Sequence, residues 1–379
     1  MTEKLYEIDE YIKEFEAKVL DCTFENGSYK VVLDKTAFFP EGGGQASDTG
    51  TLGEAQVFDV QIEDGIIVHY TDTPLKKGIE AIGKIDFDRR FNFMQNHTGE
   101  HIVSGIAHKL FGVNNVGFHL GEELVTIDFD KELTRDELNE IEFLANQKVW
   151  QNLPVRAYYP SESELSSASY RSKKQLDGAV RLVEINDTDV CACCAPHVKS
   201  TGEIGVIKLL DTEKMRGGIR IVLKCGSFAL SDYRNKFENT SKISAMLSAK
   251  QENVAEAVKK LDEKLTEENH KITALKKKIA DMITATANQN TNCVFLDECD
   301  TKELQIVADK LHKNFGGTRA AFSGKDENFS FAMCGEEADL QELFAKFKAQ
   351  FSARGGGRGK MVQGTVITTQ ENIKLFFNF

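Results

Sequence analysis

Residues 231–290 contain neither proline nor glycine, and this divides the chain. Proline breaks helices and glycine weakens them, so a stretch this long without either is free to run as helix. Val254, Val258, Leu261, Leu265, Ile272, Leu275, Ile279 and Met282 follow alternating four- and three-residue steps, with Glu268 the one break in the series. That is the spacing of a coiled-coil seam. It predicts a long coiled-coil-like helix over 231–290. The helix could pair with a second copy as a homodimer, pack on its own domain, or break into a hairpin near Ser248.

The 379 residues are too many for one core, so two or three domains are expected. Residues 1–85 read as a small β-barrel-like domain. Asn26-Gly27 and Asp64-Gly65 each lie between short apolar or β-branched runs, a hairpin signal. A turn-rich loop, "FFPEGGGQASDTG", lies between them. Residues 86–230 mix helices and strands. Asp88 can cap a helix reaching about Phe111, and Thr134 with Glu137 forms a capping box for another. "VRLVEI", "IGVIKLL" and "IRIVLKC" are strand-like. After the helical linker, 291–379 reads as a small α/β domain with a glycine loop near its end. The fold class is α+β.

No apolar run reaches the ~20 residues of a spanning helix. The acidic, polar start lacks the features of a secretion signal. A cytoplasmic protein with no membrane role is expected. The net charge of −12 argues against a general nucleic-acid coat. Yet from 341 to 379 six Lys/Arg (Lys346, Lys348, Arg354, Arg358, Lys360, Lys374) face two acids, Glu342 and Glu371, a local excess of four positive charges. Eight cysteines are scattered except for Cys191, Cys193 and Cys194. That is not the pattern of a disulfide framework.

In "NHTGEH", His97 and His101 are four apart, on one helical face. In "DVCACCAPHVKSTGEIG", Cys193 and His197 are four apart as well, with Cys191 and Cys194 close enough to compete. Thiolate and imidazole are soft ligands suited to zinc. H-x-x-x-H followed some ninety residues later by C-x-x-x-H is far more specific than either half. Glu100 directly precedes the second His, the wrong place for a zinc peptidase's H-E-x-x-H.

"HTGEH", "CCAPH" with "STGEIG" after it, and "FFPEGGGQ" before it resemble, in that order, the editing domain of alanyl-tRNA synthetase. They are closer still to its free-standing relatives, the AlaX alanyl-tRNA editing proteins. The family's second half usually reads C-G-G-T-H; here Cys193 and His197 keep the ends and the middle differs, with Cys191 and Cys194 as substitutes for Cys193. "RGGGRGKMVQG" resembles the glycine-rich motif of the DHH-associated domain that ends the synthetases, which points to the long form of AlaX. There is no sign of the ATP-using aminoacylation domain, so ATP binding enters only by family analogy. No D-H-H motif supports a phosphoesterase.

The resemblance implies hydrolysis of an aminoacyl ester, Ser or Gly wrongly attached to alanine tRNA, with one Zn2+ per chain held by His97, His101, Cys193 and His197. Gln45 would reach the editing cleft and orient water or substrate. Thr36 could hydrogen-bond a serine hydroxyl and so spare alanine, and Thr126 could play the same part. Arg354, Arg358 and Lys360, beside Gly355, Gly356 and Gly357, could grip tRNA phosphates. The alternative is a non-catalytic tRNA-binding protein with a structural zinc.

Overall fold

Both hairpin turns are present, and both central residues of each have positive φ: 53° and 90° at Asn26-Gly27, 48° and 79° at Asp64-Gly65. Such turns match the right-handed twist of the strands they join. The computed structural model that shows them describes residues 2–122, 124–172 and 179–377. It falls into two units, Met1–Asn239 and Thr240–Phe379.

In the first unit six strands, β1 (Glu14–Glu25), β2 (Ser28–Leu33), β3 (Gly50–Leu52), β4 (Ala55–Glu63), β5 (Ile66–Thr71) and β6 (Glu80–Ile85), pair in the order β1-β2-β5-β4-β3-β6, and β6 returns to β1 to close a barrel. Alternation fills it. Phe15, Ala17 and Val19 point inward from β1 while Glu14, Glu16 and Lys18 face solvent. Val31, Leu33, Val57, Val60, Ile67, Phe38 and Phe39 complete the core.

Helix α1 (Phe87–Phe111) follows directly. Its cap is Asp86, whose carboxylate accepts from the Arg89 amide, and not Asp88, which lies inside the first turn. Asp86 precedes the first helical residue, where a side-chain oxygen can reach the free N–H groups. Gly112 ends the helix at φ 61°. Then come β7 (Asn115–Leu120), β8 (Val125–Phe129), α2 (Arg135–Trp150), β9 (Val155–Tyr158), β10 (Leu182–Ile185), β11 (Asp189–Ala192), β12 (Ile207–Met215) and β13 (Gly218–Cys225). The Thr134–Glu137 capping box of α2 is formed. Four strands make a sheet ordered β12-β13-β8-β7, and three more pair as β9-β10-β11. Phe93, Met94, Ile102 and Val103 of α1 pack with Ile127, Phe129, Ile221 and Leu223 of the sheet and with Leu138 and Ile141 of α2.

The single helix expected over 231–290 is two helices, α3 (Gly226–Leu247) and α4 (Val254–Thr286). Ser248 takes φ 51° between them. The Ser244 hydroxyl donates to the Ala249 carbonyl at 2.5 Å, a local bond that competes with the helical ladder. Along α4 the predicted seam stands in solvent: Leu261, Leu265, Ile272, Leu275, Ile279 and Met282 are all exposed.

The second unit holds β14 (Cys293–Leu296), α5 (Thr301–Phe315), β15 (Arg319–Lys325), β16 (Asn328–Cys334), α6 (Glu337–Gln350), β17 (Ser352–Gly356), β18 (Met361–Ile367) and α7 (Gln370–Phe377). Its sheet runs β14-β15-β16-β18-β17, with only β14–β15 parallel. One core joins Ala280 of α4 to Leu304, Val307 and Leu311 of α5. Another gathers Phe322 and Phe331 with Leu340, Phe344, Phe347, Ile373 and Phe377 of α6 and α7.

Candidate metal centre

The cluster begins with how the barrel is fastened to α1. Arg90 is wholly buried and pairs with Asp48, which is 1% exposed. Its Nε lies 2.9 Å from both Asp48 oxygens, and the guanidinium also donates to the Ala37 and Glu10 carbonyls. Asp48 in turn accepts the Phe39 amide at 2.5 Å. The loop that carries Gln45 is thus tied to the helix about two turns before His97.

Within that loop, Gly42 and Gln45 exchange both backbone hydrogen bonds around Gly43 and Gly44, whose φ values are 62° and 85°. The Leu120 amide donates to the Gly44 carbonyl at 2.7 Å, and the Ala46 amide to the Leu120 carbonyl at 3.2 Å. A Cβ on Gly44 would lie 2.3 Å from the Phe118 carbonyl oxygen. The glycine therefore admits the backbone of β7 rather than a ligand, and this clasp delivers Gln45 to His97.

His97, His101, Cys193 and His197 each offer a ligand atom, and those atoms lie within 4.8 Å of one another. Cys193 Sγ is 3.5 Å from His97 Nε2 and 3.4 Å from His197 Nε2. Each imidazole is held from behind through Nδ1. His97 Nδ1 lies 2.9 Å from Gln45 Oε1, His101 Nδ1 lies 3.0 Å from Asp189 Oδ2, and His197 Nδ1 lies 3.2 Å from Thr98 Oγ1. The Thr98 hydroxyl spends its one proton on the Met94 carbonyl. His197 must therefore donate Nδ1–H to it, leaving Nε2 bare toward the cluster. The Asp189 carboxylate, an acceptor only, imposes the same tautomer on His101. This is the outer support that metal-binding histidines carry.

Electrostatics favour ligation at His197 and Cys193, whereas His101 must give up a proton to bind a metal. Burial pushes the His197 imidazole down to about 3, so it is neutral near pH 7, as a metal ligand must be. Burial would raise the Cys193 thiol, but the His97 and His197 imidazoles beside it hold it well below its ordinary value. Burial would lower His101, yet Cys191 and a hydrogen bond to Asp189 draw it well above its usual range. Three imidazole nitrogens and a thiolate fit a divalent metal of the zinc type.

The altered loop after Cys193 has its own brace. Arg181, 5% exposed, donates to the Cys193 and Ala195 carbonyls at 3.2 and 2.9 Å and pairs with Glu10 at 2.5 Å. Cys194 is exposed, while Cys191 forms a second close group with His101 and Asp189. Glu100 is 1% exposed and bonds Ser104 and Asn115. Gln45 Nε2 is a buried donor with no partner among the described residues.

The other expected residues are not among the four clustered donors. Thr36 is in the barrel core, its hydroxyl 2.8 Å from His69 Nε2 and accepting the Phe38 amide at 3.1 Å. Thr126 is buried on β8. In the second unit, Gly355 pairs with Gly364 across β17 and β18, and a Cβ on either would meet the opposing backbone within about 2.2 Å. Arg354 and Lys348 line an open groove of about 960 Å³ with Ser323, Asn328, Ser330 and Thr365. Arg358 is exposed and Lys360 pairs with Glu336 at 2.7 Å. Asp189, Thr98, Arg90 and Arg181 are absent from the sequence-based expectations. Asp189 and Thr98 lie inside the two ligand motifs, but nothing in spacing marks them.

A model of the second additional domain of threonyl and alanyl tRNA synthetases matches residues 180–222, and a model of class II (A) tRNA synthetases matches residues 5–89. The AlaX-L alanyl-tRNA editing protein of Pyrococcus horikoshii is 27% identical over 98% of this chain and 96% of its own length. The chain resembles the long AlaX-type editing proteins from end to end. It is also 31% identical to the alanine–tRNA ligase of Pyrococcus abyssi over 96% of its length, and 32% identical to that of Halorubrum lacusprofundi over 94%. It spans only 42% and 40% of those ligases. No helix among the described residues is long and apolar enough to cross a membrane.

Proposed function

We propose that this AlaX-like chain hydrolyses the ester of mischarged alanine tRNA, seryl first and glycyl second, at one zinc held by His97, His101, Cys193 and His197. The observation that carries this is the buried Gln45 amide. Its Oε1 accepts the Nδ1–H of His97, while its Nε2 lacks a partner among the described residues. An unpaired buried donor costs about 1–3 kcal/mol, and an ester or water oxygen on the substrate is the acceptor that would satisfy it. Zinc, when bound, would supply Lewis acidity or lower the pKa of a water toward ~7. The remaining work falls to the chain: the barrel presents Gln45 and α1 fixes the imidazoles.

Thr36 is the residue we assign to the serine hydroxyl. The His69 Nδ1 lies 3.1 Å from the Val31 carbonyl, so it carries the proton and Nε2 accepts from Thr36. With one lone pair taken by the Phe38 amide, the Thr36 oxygen keeps a second to accept from a hydroxyl, which alanine lacks. We assign tRNA phosphates to Arg354, Arg358 and Lys360 and to the groove shared by Arg354 and Lys348, whose lining contains no acidic residue. We assign the exposed α4 seam to a homodimer, which sedimentation of wild type against Leu265→Asp would test.

The deciding experiment measures zinc content and hydrolysis of Ser-, Gly- and Ala-charged alanine tRNA, with and without a chelator. The expected result is about one zinc per chain, Ser-tRNA cleaved, Ala-tRNA spared, and hydrolysis lost in folded His97→Ala. A four-donor shell is also the composition of structural sites. If the folded, zinc-loaded protein binds tRNA and cleaves none of the esters, that non-catalytic reading replaces ours.

A further inference from the structure

We propose that Arg171 and Asp189 form a positioning pair that sets how tightly His101 holds the metal and keeps the ion on the Cys193 side of that ring. The inference rests on reading the four-residue cluster as a metal centre. Of the three histidine supports, Gln45 and Thr98 are neutral and Asp189 alone is a carboxylate. A charged acceptor makes the stronger hydrogen bond and raises the basicity of the ligand it supports.

The carboxylate is itself fixed. Arg171 donates from Nε to Oδ1 at 2.6 Å and from Nη2 to Oδ2 at 2.7 Å, a two-toothed fork. The backbone holds the fork in register with β11: the Arg171 amide donates to the Val190 carbonyl at 2.8 Å, and the Ala192 amide to the Arg171 carbonyl at 2.9 Å. Asp189 is 7% exposed. One turn beyond His101, a Cβ on Gly105 would sit 2.8 Å from Asp189 Cβ and 2.6 Å from the Thr188 carbonyl. Only glycine lets the strand approach the helix closely enough for the carboxylate to reach the ring.

The fork also resolves a competition. His101, Asp189 and Cys191 form a second group whose ligand atoms lie within 4.8 Å of one another. With both of its oxygens engaged by Arg171, and Oδ2 also accepting from His101 Nδ1, Asp189 acts behind His101 instead of as a ligand. Removing the guanidinium frees the carboxylate to draw metal toward Cys191.

The test uses the full chain and three variants: Asp189→Ala, Asp189→Asn and Arg171→Met. Zinc affinity is read by competition with a chromophoric chelator, coordination by the absorption spectrum of the cobalt(II) form, and folding by circular dichroism. The expected result is zinc binding weakened about 10–100-fold in Asp189→Ala. Asp189→Asn, which keeps an acceptor for His101, should recover part of the loss. Arg171→Met should alter the cobalt thiolate band as Cys191 competes. Folded Asp189→Ala that binds zinc within about twofold of the parent overturns the inference. Should Asp189→Ala not fold, parent-like affinity and spectra in the other two variants overturn it equally. Wild type that binds zinc but cleaves no ester sinks the hydrolase reading and leaves this one standing.

Discussion

His101 and Arg354 stand at opposite extremes of how a fold presents a functional side chain. His101 is 2% exposed, wedged among three other candidate ligands and supported by an ion-paired carboxylate. Arg354 is exposed on β17, at the rim of an open groove, beside glycines that shape a hairpin but hold no side chain in place. Coordination needs donor atoms placed to a few tenths of an ångström, so each ligand needs outer support. Attraction of phosphates works over several ångströms through charge alone and tolerates a mobile arginine. Stability and function should therefore be coupled around the metal cluster and separable at the hairpin.

The largest expected break is Arg90→Ala. It would leave the Asp48 carboxylate buried without its cation, a loss typically of about 3–5 kcal/mol. Urea unfolding of the purified variant measures it. Because Asp48 also holds the Phe39 amide in the loop that leads to Gln45, residual folded protein should retain zinc poorly. A loss under ~1 kcal/mol would mean the barrel needs no such fastening.

Protonation offers a second break. His69 is fully buried, and burial pushes its imidazole down to about 4 from an ordinary 6.5. The unfolded chain thus binds the proton more readily. The stabilising contribution of neutral His69 is whole above pH 6.5 and is lost as pH falls toward 4, by about 3 kcal/mol. Urea midpoints across that window should fall with acidity. In His69→Gln this part of the slope should vanish; an unchanged slope would assign it to other groups. A smaller effect, about 1–3 kcal/mol, is expected for Gly44→Ala, which forces φ 85° on an alanine and a Cβ onto the Phe118 carbonyl. Its thermal midpoint should fall with no change in the second unit's own unfolding.

What was legible in the sequence follows the same divide. The mixed α+β character, the two hairpin turns and the Thr134–Glu137 cap are local, and short segments encode them. The four clustered donors were readable because helical spacing and a C-x-x-x-H segment are strong signals even ninety residues apart. Asp189, Thr98, Arg90 and Arg181 were not, since their roles arise from contacts between elements distant in sequence. Arg90 reaches Asp48 across 42 residues, and His101 reaches Asp189 across 88. An unbroken helix over 231–290 gives way to the other reading, a break near Ser248, for a different reason. Apolar periodicity reports which face is greasy but not a local serine-to-backbone bond.

The gentlest test lies at the hairpin. Arg354→Ala removes a charge from the groove without touching a core, so unfolding free energy should stay within about 0.5 kcal/mol of the parent. Affinity for alanine tRNA should fall several-fold, with the slope of log affinity against log salt reduced by about one. Lys360→Ala should do less, because Glu336 already partners that ammonium at 2.7 Å. Hydrolysis at saturating tRNA should be unaffected by either, since neither residue is among the four clustered donors. If Arg354→Ala instead lowered the rate at saturation, the hairpin would be shaping the reacting end of the substrate, and the division between a rigid chemical site and a loose electrostatic one would have to be redrawn.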